Sequence, residues 1–420
     1  MPKVSVRQKK IATLQEKVQY NRREIAKRIA SAPEEEWDSV VDKSIDAMIF
    51  DESFLELSQV LSSRYLPTGQ RNNTNNTRIS PNTFDYDAFI SDEEKFAQTV
   101  RMTRENFDSL VNELKDHEVY QSKGLRPQSD FKVQIALVLD RIGSRGIGNS
   151  VGRLARSYGV SEGSVVKFTK RFFEAVVSLQ TKYLSWPTDE EKTEIKSVNA
   201  EKTGFKDCIG IVDGMTADLA WKPSERAKLF LSGKEKYSLQ SISICDQNKK
   251  IRYLETGFYG SRHDSEVYSD VDICKHPAKY FSGNEYLLGD SKYILTEQII
   301  TPFNNPYNMD PDKKRFNRYH DSMRETIDQT FSILKKRFQS LCELPLQIKN
   351  MTTDITFAQQ WILVCVLLHN RLITLGGADI DLEENNSEQV VEEESGDDDN
   401  DSETHQLGVA PRHQIRCRQK

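Results

Sequence analysis

Between residues 84 and 185 the apolar positions recur at helical spacing. MTRENFDSLVNELKDH at 102–117 places Phe107, Leu110, Val111 and Leu114 on one face, which predicts an amphipathic helix, and FKVQIALVLDRIG at 131–143 predicts a second. In VGRLARSYGVSEGSVVKFTKRFFEAV at 151–176, a short helix carrying Leu154 and Ala155 leads to a turn at Gly159, a Ser161 cap and a helix with Val165, Val166, Phe168, Phe172 and Phe173. That layout is a helix-turn-helix, whose second helix would present Ser164, Lys167, Lys170 and Arg171 to a DNA groove. Two packed helices with a solvated basic face would leave the same pattern.

The period then changes. DCIGIVDG at 207–214, KYSLQSISICD at 236–246, KIRYLETGFYG at 250–260 and NEYLLGDSKYI at 284–294 are dense in β-branched, apolar and aromatic residues and predict strands. A QNK turn separates the second from the third, a helix with Val267 and Tyr268 precedes the fourth, and two helices near 320–341 and 353–373 follow. A three-strand meander, a helix, a further strand and closing helices is the element order of a ribonuclease-H-like α/β fold, a mixed sheet flanked by helices. The expected organisation is a polar helical region over 1–67, a linker over 68–83, an all-α helix-turn-helix domain over 84–190, a catalytic domain over 200–375 and a disordered acidic tail over 376–420. The linker TGQRNNTNNTRISPNT has too little apolar surface to order itself.

Composition changes this picture in one respect. The 420 residues carry a net charge of −6, unfavourable for a nucleic-acid partner, but 13 of the acids lie at 379–403 among no Lys or Arg; without that block −6 becomes +7. The longest apolar run, WILVCVLL at 361–368, is too short to span a bilayer. Charges interrupt the N-terminus where a secretion signal needs an apolar stretch, so an intracellular protein is expected. The six cysteines, Cys208, Cys245, Cys274, Cys342, Cys365 and Cys417, form no C-x-x-C pair and read as reduced thiols.

The candidate chemistry is carboxylate. Hard divalent ions take oxygen ligands, and phosphodiester cleavage uses two such ions about 3.5–4 Å apart. Asp213 is expected to end the first strand and Asp290 the fourth. An acid after an apolar run is costly to bury unless it binds something, although strand-end aspartates also make turns and caps.

GIVDGM at 210–215, WKP at 221–223, GKEKYSLQ at 233–240, GSRHDS at 260–265, GDSKY at 289–293, TPF at 301–303, RETIDQTFSILKKRF at 324–338 and LLHN at 367–370 together resemble the ordered motifs of PIF/Harbinger transposases and their domesticated nuclease relatives. The resemblance covers about residues 100–373. It implies a DDE-type DNA endonuclease or transposase holding two Mg²⁺ or Mn²⁺ ions on Asp213, Asp290 and a third acid. The family pattern has Glu where this chain has Asp328, within a stretch matching at Arg324, Ile327 and Phe331; Glu325 lies nearby. Ile327, Phe331, Leu334, Phe338 and Leu341 form one helical stripe, and at about 100° per residue Asp328 sits on its flank with Arg324 and Lys335 while Glu325 points away. Asp328 is therefore the expected third ligand, one methylene shorter than the family's Glu. That shortening also suits a runner-up reading, a domesticated DNA-binding or protein-interaction factor with weakened catalysis.

His263 and Asp264 are expected at a strand-to-helix turn, supporting the site or capping the helix. Lys335 and Lys336 are candidates for the DNA backbone, or a solvated helix face. His320 and His369 read as packing or exposed residues. The family resemblance further implies double-stranded DNA as substrate, a Myb-like DNA-binding partner, a homo-oligomer, and work in the nucleus with a cytoplasmic pool.

Overall fold

The computed structural model describes residues 6–30, 33, 84–121, 128–304 and 310–376. The chain divides into two compact units, Met1–Ile79 and Ser80–Lys420. In the first, helix α1 (Val6–Ala30) buries Leu14 and Val18, with Ile11 packed against them. The expected linker at 68–83 and acidic tail beyond 376 fall outside the described residues.

The second unit begins with three short helices, α2 (Tyr86–Ser91), α3 (Glu93–Val100) and α4 (Arg104–Leu114), whose first turns are closed by the side chains of Asp85, Asp92 and Thr103. In α4 the four residues of the predicted stripe, Phe107, Leu110, Val111 and Leu114, are all buried. Helix α5 (Phe131–Gly143) has the predicted bounds but is not amphipathic in its surroundings: every residue from Gln134 to Gly143 is buried. Its charged members are engaged internally, Asp140 by Arg153 at 2.8 Å and Arg141 by the Thr169 hydroxyl at 2.7 Å, with Arg141 also over the Trp361 ring. Helices α6 (Val151–Ser157) and α7 (Glu162–Val177) flank a turn in which Gly159 adopts φ 61°, and Ser161 caps α7. Helix α8 (Gln180–Tyr183) and helix α9 (Asp189–Thr203), which opens with a capping box between Thr188 and Glu191, lead into the sheet.

Strand β1 (Cys208–Asp218) pairs antiparallel with β2 (Ser238–Cys245), which pairs antiparallel with β3 (Ile251–Tyr259). On its other side β1 pairs parallel with β4 (Tyr286–Leu288), and β4 with β5 (Ile299–Ile300), giving the order β3-β2-β1-β4-β5. The meander and the crossover are as expected; the fourth strand is shorter than predicted and β5 was missed. Alternation along β1 sorts its side chains: Val212 joins the core beneath helix α10 (Asp264–Asp270), with Val267 and Tyr268, whereas Ile211 joins the core under helix α11 (Pro311–Arg337), with Met323 and Ile327. The stripe predicted through Leu341 continues past that helix, which stops at Arg337, into a short 3-10 turn.

Helix α12 (Thr353–Thr374) joins the helical segment to the sheet. Trp361 meets Phe173 of α7 edge-on at 5.1 Å, and Asn370 bonds the backbone of Ile251 in β3 while donating to the Tyr183 carbonyl. Arg371 pairs with Glu113 of α4 at 2.9 Å. The two domains expected over 84–190 and 200–375 therefore share one core. Between them α9 docks on the sheet through Lys192 and Glu285, 2.8 Å apart and both buried, and Asn199 donates to the Cys208 carbonyl. No described helix is long and apolar enough to cross a membrane, and the five described cysteines are free.

Candidate active site

Asp213 stands in the middle of β1 rather than at its end, opposite Ser243 of β2. Its position on the face under α11 follows from the same alternation that buries Ile211 and Met215. The Gly214 N–H donates to its Oδ1 at 2.8 Å. Asp290 follows β4 by two residues. Gly289 precedes it because the chain is crowded there: a Cβ would lie 3.0 Å from Ile299 and 3.3 Å from Val212. The Ser291 hydroxyl donates to Asp290 Oδ1 at 3.0 Å, and Lys292 is 4.0 Å away. Because β1 and β4 run parallel as neighbours, both acids project from adjoining strands toward α11.

Arg324 of α11 lies between them. Its Nη2 is 3.4 Å from Asp213 Oδ2 and its Nη1 3.4 Å from Asp290 Oδ1. One turn along the helix, exposed Asp328 is among the carboxylates whose charge acts on Asp213; Asp264 is the other. Glu325 is exposed and accepts a hydrogen bond from Gln329 at 3.0 Å.

Burial pushes the Asp213 carboxyl up to about 6; the Gly214 N–H and Arg324 oppose this, while Asp264 and Asp328 add to it. Burial acts in the same sense on Asp290, but hydrogen bonds from Ser291 and the charges of Arg324 and Lys292 prevail and hold it below the ordinary carboxylate value. The two acids shift in opposite directions because burial prevails at Asp213, whereas the donors and cations around Asp290 outweigh it there.

His263 occupies the cap position of α10 with no side-chain capping bond, so the capping role is not realised. Asp264 instead accepts from Gln240 and leans over Gly214, where any Cβ would collide with its carboxylate. Tyr293 was missed: among the described residues its buried hydroxyl has no hydrogen-bond partner, and burial, with the charges of Asp213, Asp264 and Asp290 adding to it, raises its pKa well above 10. The only sequence signal for it was its place in the GDSKY motif.

A cleft of about 910 Å³ has Gly214, Thr216, His263, Asp264 and Lys335 in its walls. Lys335 is half-buried there, and Lys336 is exposed. On α7, Lys167 and Lys170 are exposed, but Ser164 bonds Ser161 and Arg171 bonds Gln128 at 2.7 Å. His320 and His369 are buried packing residues whose ring nitrogens face the carbonyls of Ile300 and Lys249.

Residues 212–370 match the DDE superfamily endonuclease family. The segment opens one residue before Asp213 and takes in Asp290 and Asp328. The chain is 24% identical over 312 residues to "Protein ALP1-like" of Arabidopsis thaliana, covering 69% of this chain and 73% of that protein. It is 25% identical over 234 residues to "Putative nuclease HARBI1" of Bos taurus, covering 56% of this chain and 65% of that protein, and 24% identical over 234 residues to the Homo sapiens protein of the same name. These relatives are Harbinger-derived, and the resemblance read from the motifs is borne out. No solved structure matches the chain. The fit of the DDE segment to a divalent metal is divided. The donor set is right, hard carboxylate oxygen with one acid enclosed. Yet among the described residues no three His, Cys, Asp or Glu side chains stand close enough to hold an ion, and the gap between Asp213 and Asp290 contains the Arg324 guanidinium.

Proposed function

We propose that the protein is a Harbinger-type, ribonuclease-H-like DNA endonuclease that cleaves phosphodiester bonds with Mg²⁺ or Mn²⁺, two ions in all, held by Asp213, Asp290 and Asp328. The observation that carries this reading is the convergence of Asp213 and Asp290, 77 residues apart in sequence, on the single cation Arg324, with Asp328 one turn further along the same helix. Bound divalent ions supply activation of the attacking water and stabilisation of the leaving oxygen. The chain's own residues do the rest. Asp213 must give up its proton, which the Gly214 N–H and Arg324 favour. Ser291 and Lys292 keep Asp290 ionised and oriented. Swinging away from the acids, Arg324 would carry its charge to a phosphate oxygen. The α6–α7 pair serves as a helix-turn-helix with Lys167 and Lys170 as its free cations.

The substrate in this reading is double-stranded DNA, engaged by a homo-oligomer with a Myb-like partner, in the nucleus and with a cytoplasmic pool. One observation favours the runner-up, a domesticated DNA-binding factor with weakened catalysis: no ready-made three-ligand group is present among the described residues. Nicking of a supercoiled or end-labelled duplex in Mn²⁺ separates the two. Cleavage by the wild type that disappears in Asp213→Asn and Asp290→Asn supports the nuclease; DNA binding without any cleavage by the wild type overturns it.

A further inference from the structure

The cleft with Lys335 in its wall contains more positive charge than the fold can use. Its walls carry Arg145, Lys234, Lys236, Arg262, Lys292 and Lys335, against Asp218 and Asp264. Some of that charge is neutralised: Lys236 is 3.4 Å from Asp218, Arg262 pairs with Asp270 at 2.6 Å, and Lys292 faces Asp290. Arg145, Lys234 and Lys335 make no ion pair among the described residues. Lys335 is half-buried on α11, and burial, reinforced by Lys234 and Lys236, pushes its amine below the ordinary lysine value against the pull of Cys342 and Asp218. Like charges gathered in a partly enclosed space disfavour the folded state until an anion joins them.

The other lining groups say what kind of anion. Leu341 and Cys342 are the apolar members; the rest are Gly and Ser positions such as Ser232, Gly233 and Gly260, and the polar edge of β1 at Gly214, Thr216 and Asp218. Among the described lining residues there is no Phe, Tyr or Trp on which a base could stack. Along the cleft wall, from Gly214 to Asp218, the strand advances roughly 13 Å at about 3.3 Å per residue, the axial span of about four phosphates on one DNA strand. Gly214 and Lys292, close in sequence to Asp213 and Asp290, lie in the cleft wall, while the two acids themselves do not line it.

We infer that this cleft is the path of the scissile strand's phosphodiester backbone as it leaves the acids, contacted by Lys234, Lys236, Lys335 and Arg145. The assignment rests on the nuclease reading for its substrate, and it gives Lys335 a place that Lys336, on the outer face of the same helix, does not share. The cations of GKEK and of the α5–α6 connection, rather than α7 alone, then account for much of the salt-sensitive affinity.

The test measures binding without chemistry. A fluorescent duplex is titrated in EDTA with the full chain over a series of NaCl concentrations by anisotropy. Compared are wild type, Lys234→Ala/Lys236→Ala, Arg145→Ala, the charge-keeping Lys234→Arg/Lys236→Arg, and Lys167→Ala/Lys170→Ala, with circular-dichroism melting to confirm that each is folded. Each lost phosphate contact lowers the slope of log affinity against log salt by roughly 0.9. The expected result is a fall of about two for the double alanine variant, about one for Arg145→Ala and none for the arginine pair. An unchanged slope in folded Lys234→Ala/Lys236→Ala overturns the assignment. So does displacement of DNA by polyglutamate at equal charge concentration, because the cleft would then select negative charge and not a phosphodiester backbone. If the slopes change as expected but no duplex is ever cut in Mn²⁺, the nuclease reading alone fails; cutting with unchanged slopes sinks the cleft alone.

Discussion

Arg324 Nη2 lies 3.4 Å from Asp213 Oδ2, and the guanidinium's other amino group is equally close to Asp290. A guanidinium thus stands where two carboxylates would otherwise repel, and where a hard divalent ion would bring more charge to the same oxygens. At 3.4 Å these are long contacts, at the weak end of charge-assisted hydrogen bonds.

Arg324 and a metal ion should compete for this gap. Arg324→Ala is expected to bind Mn²⁺ about tenfold more tightly by calorimetry, equivalent to about 1.4 kcal/mol, while cleavage falls for want of the phosphate contact. Weaker Mn²⁺ binding in the variant would mean that the arginine organises the acids for metal instead of competing with it.

The third acid can be assigned by paired substitutions. Asp328 acts on Asp213 and Glu325 is engaged by Gln329, so Asp328→Ala should lower the nicking rate by at least about a hundredfold, and Glu325→Ala should leave it near wild type. The reverse pattern would reassign the ligand.

Asp213 ties stability to pH in an unusual direction. A carboxyl whose folded pKa is raised, here from 3.8 to about 6, holds its proton more firmly in the folded than in the unfolded chain. Its contribution is therefore most favourable at low pH and declines as pH rises through roughly 4 to 6. At neutral pH without metal the ionised group costs at most about 3 kcal/mol. Asp213→Asn should accordingly melt several degrees higher than wild type at pH 7 in EDTA and show little difference at pH 4. Mn²⁺ affinity of the wild type should fall as pH drops below about 6, because the ion must displace the proton. A variant that melts lower at pH 7 would show that Arg324 more than repays the burial.

Gly260 begins the GSRHDS motif, where β3 leaves the sheet. A Cβ there would meet the Ser238 carbonyl oxygen at 2.6 Å and the Phe230 carbonyl oxygen at 2.9 Å, both backbone atoms that cannot step aside cheaply. Gly260→Ala should cost about 2 kcal/mol or more in urea unfolding and disturb the neighbouring His263 and Asp264. Unaltered stability would mean that the β2–β3 edge yields more readily than its hydrogen bonds suggest.

Local periodicity alone determined the existence and kind of most elements. The buried stripe of α4, the bounds of α5 and the meander of β1, β2 and β3 all follow from spacing, because which side of a helix or strand a residue occupies is a property of a few neighbouring residues. Order of motifs supplied the family. What spacing could not contain was distance across the fold. That α5 is enclosed on every side, and that the helical segment shares its core with α12, depends on partners far away in sequence, such as Phe173 with Trp361 and Glu113 with Arg371. Asp213 looked like a strand end because a glycine follows it; pairing with β2 carries the strand on to Asp218. The two-residue β5 is ordered by its neighbour β4 and has no pattern of its own. Arg324 between two acids, Tyr293 without a partner among the described residues and the cations of the cleft are encounters of residues that no window along the chain brings together; chain folding in three dimensions decided those, and they determine what the site can bind.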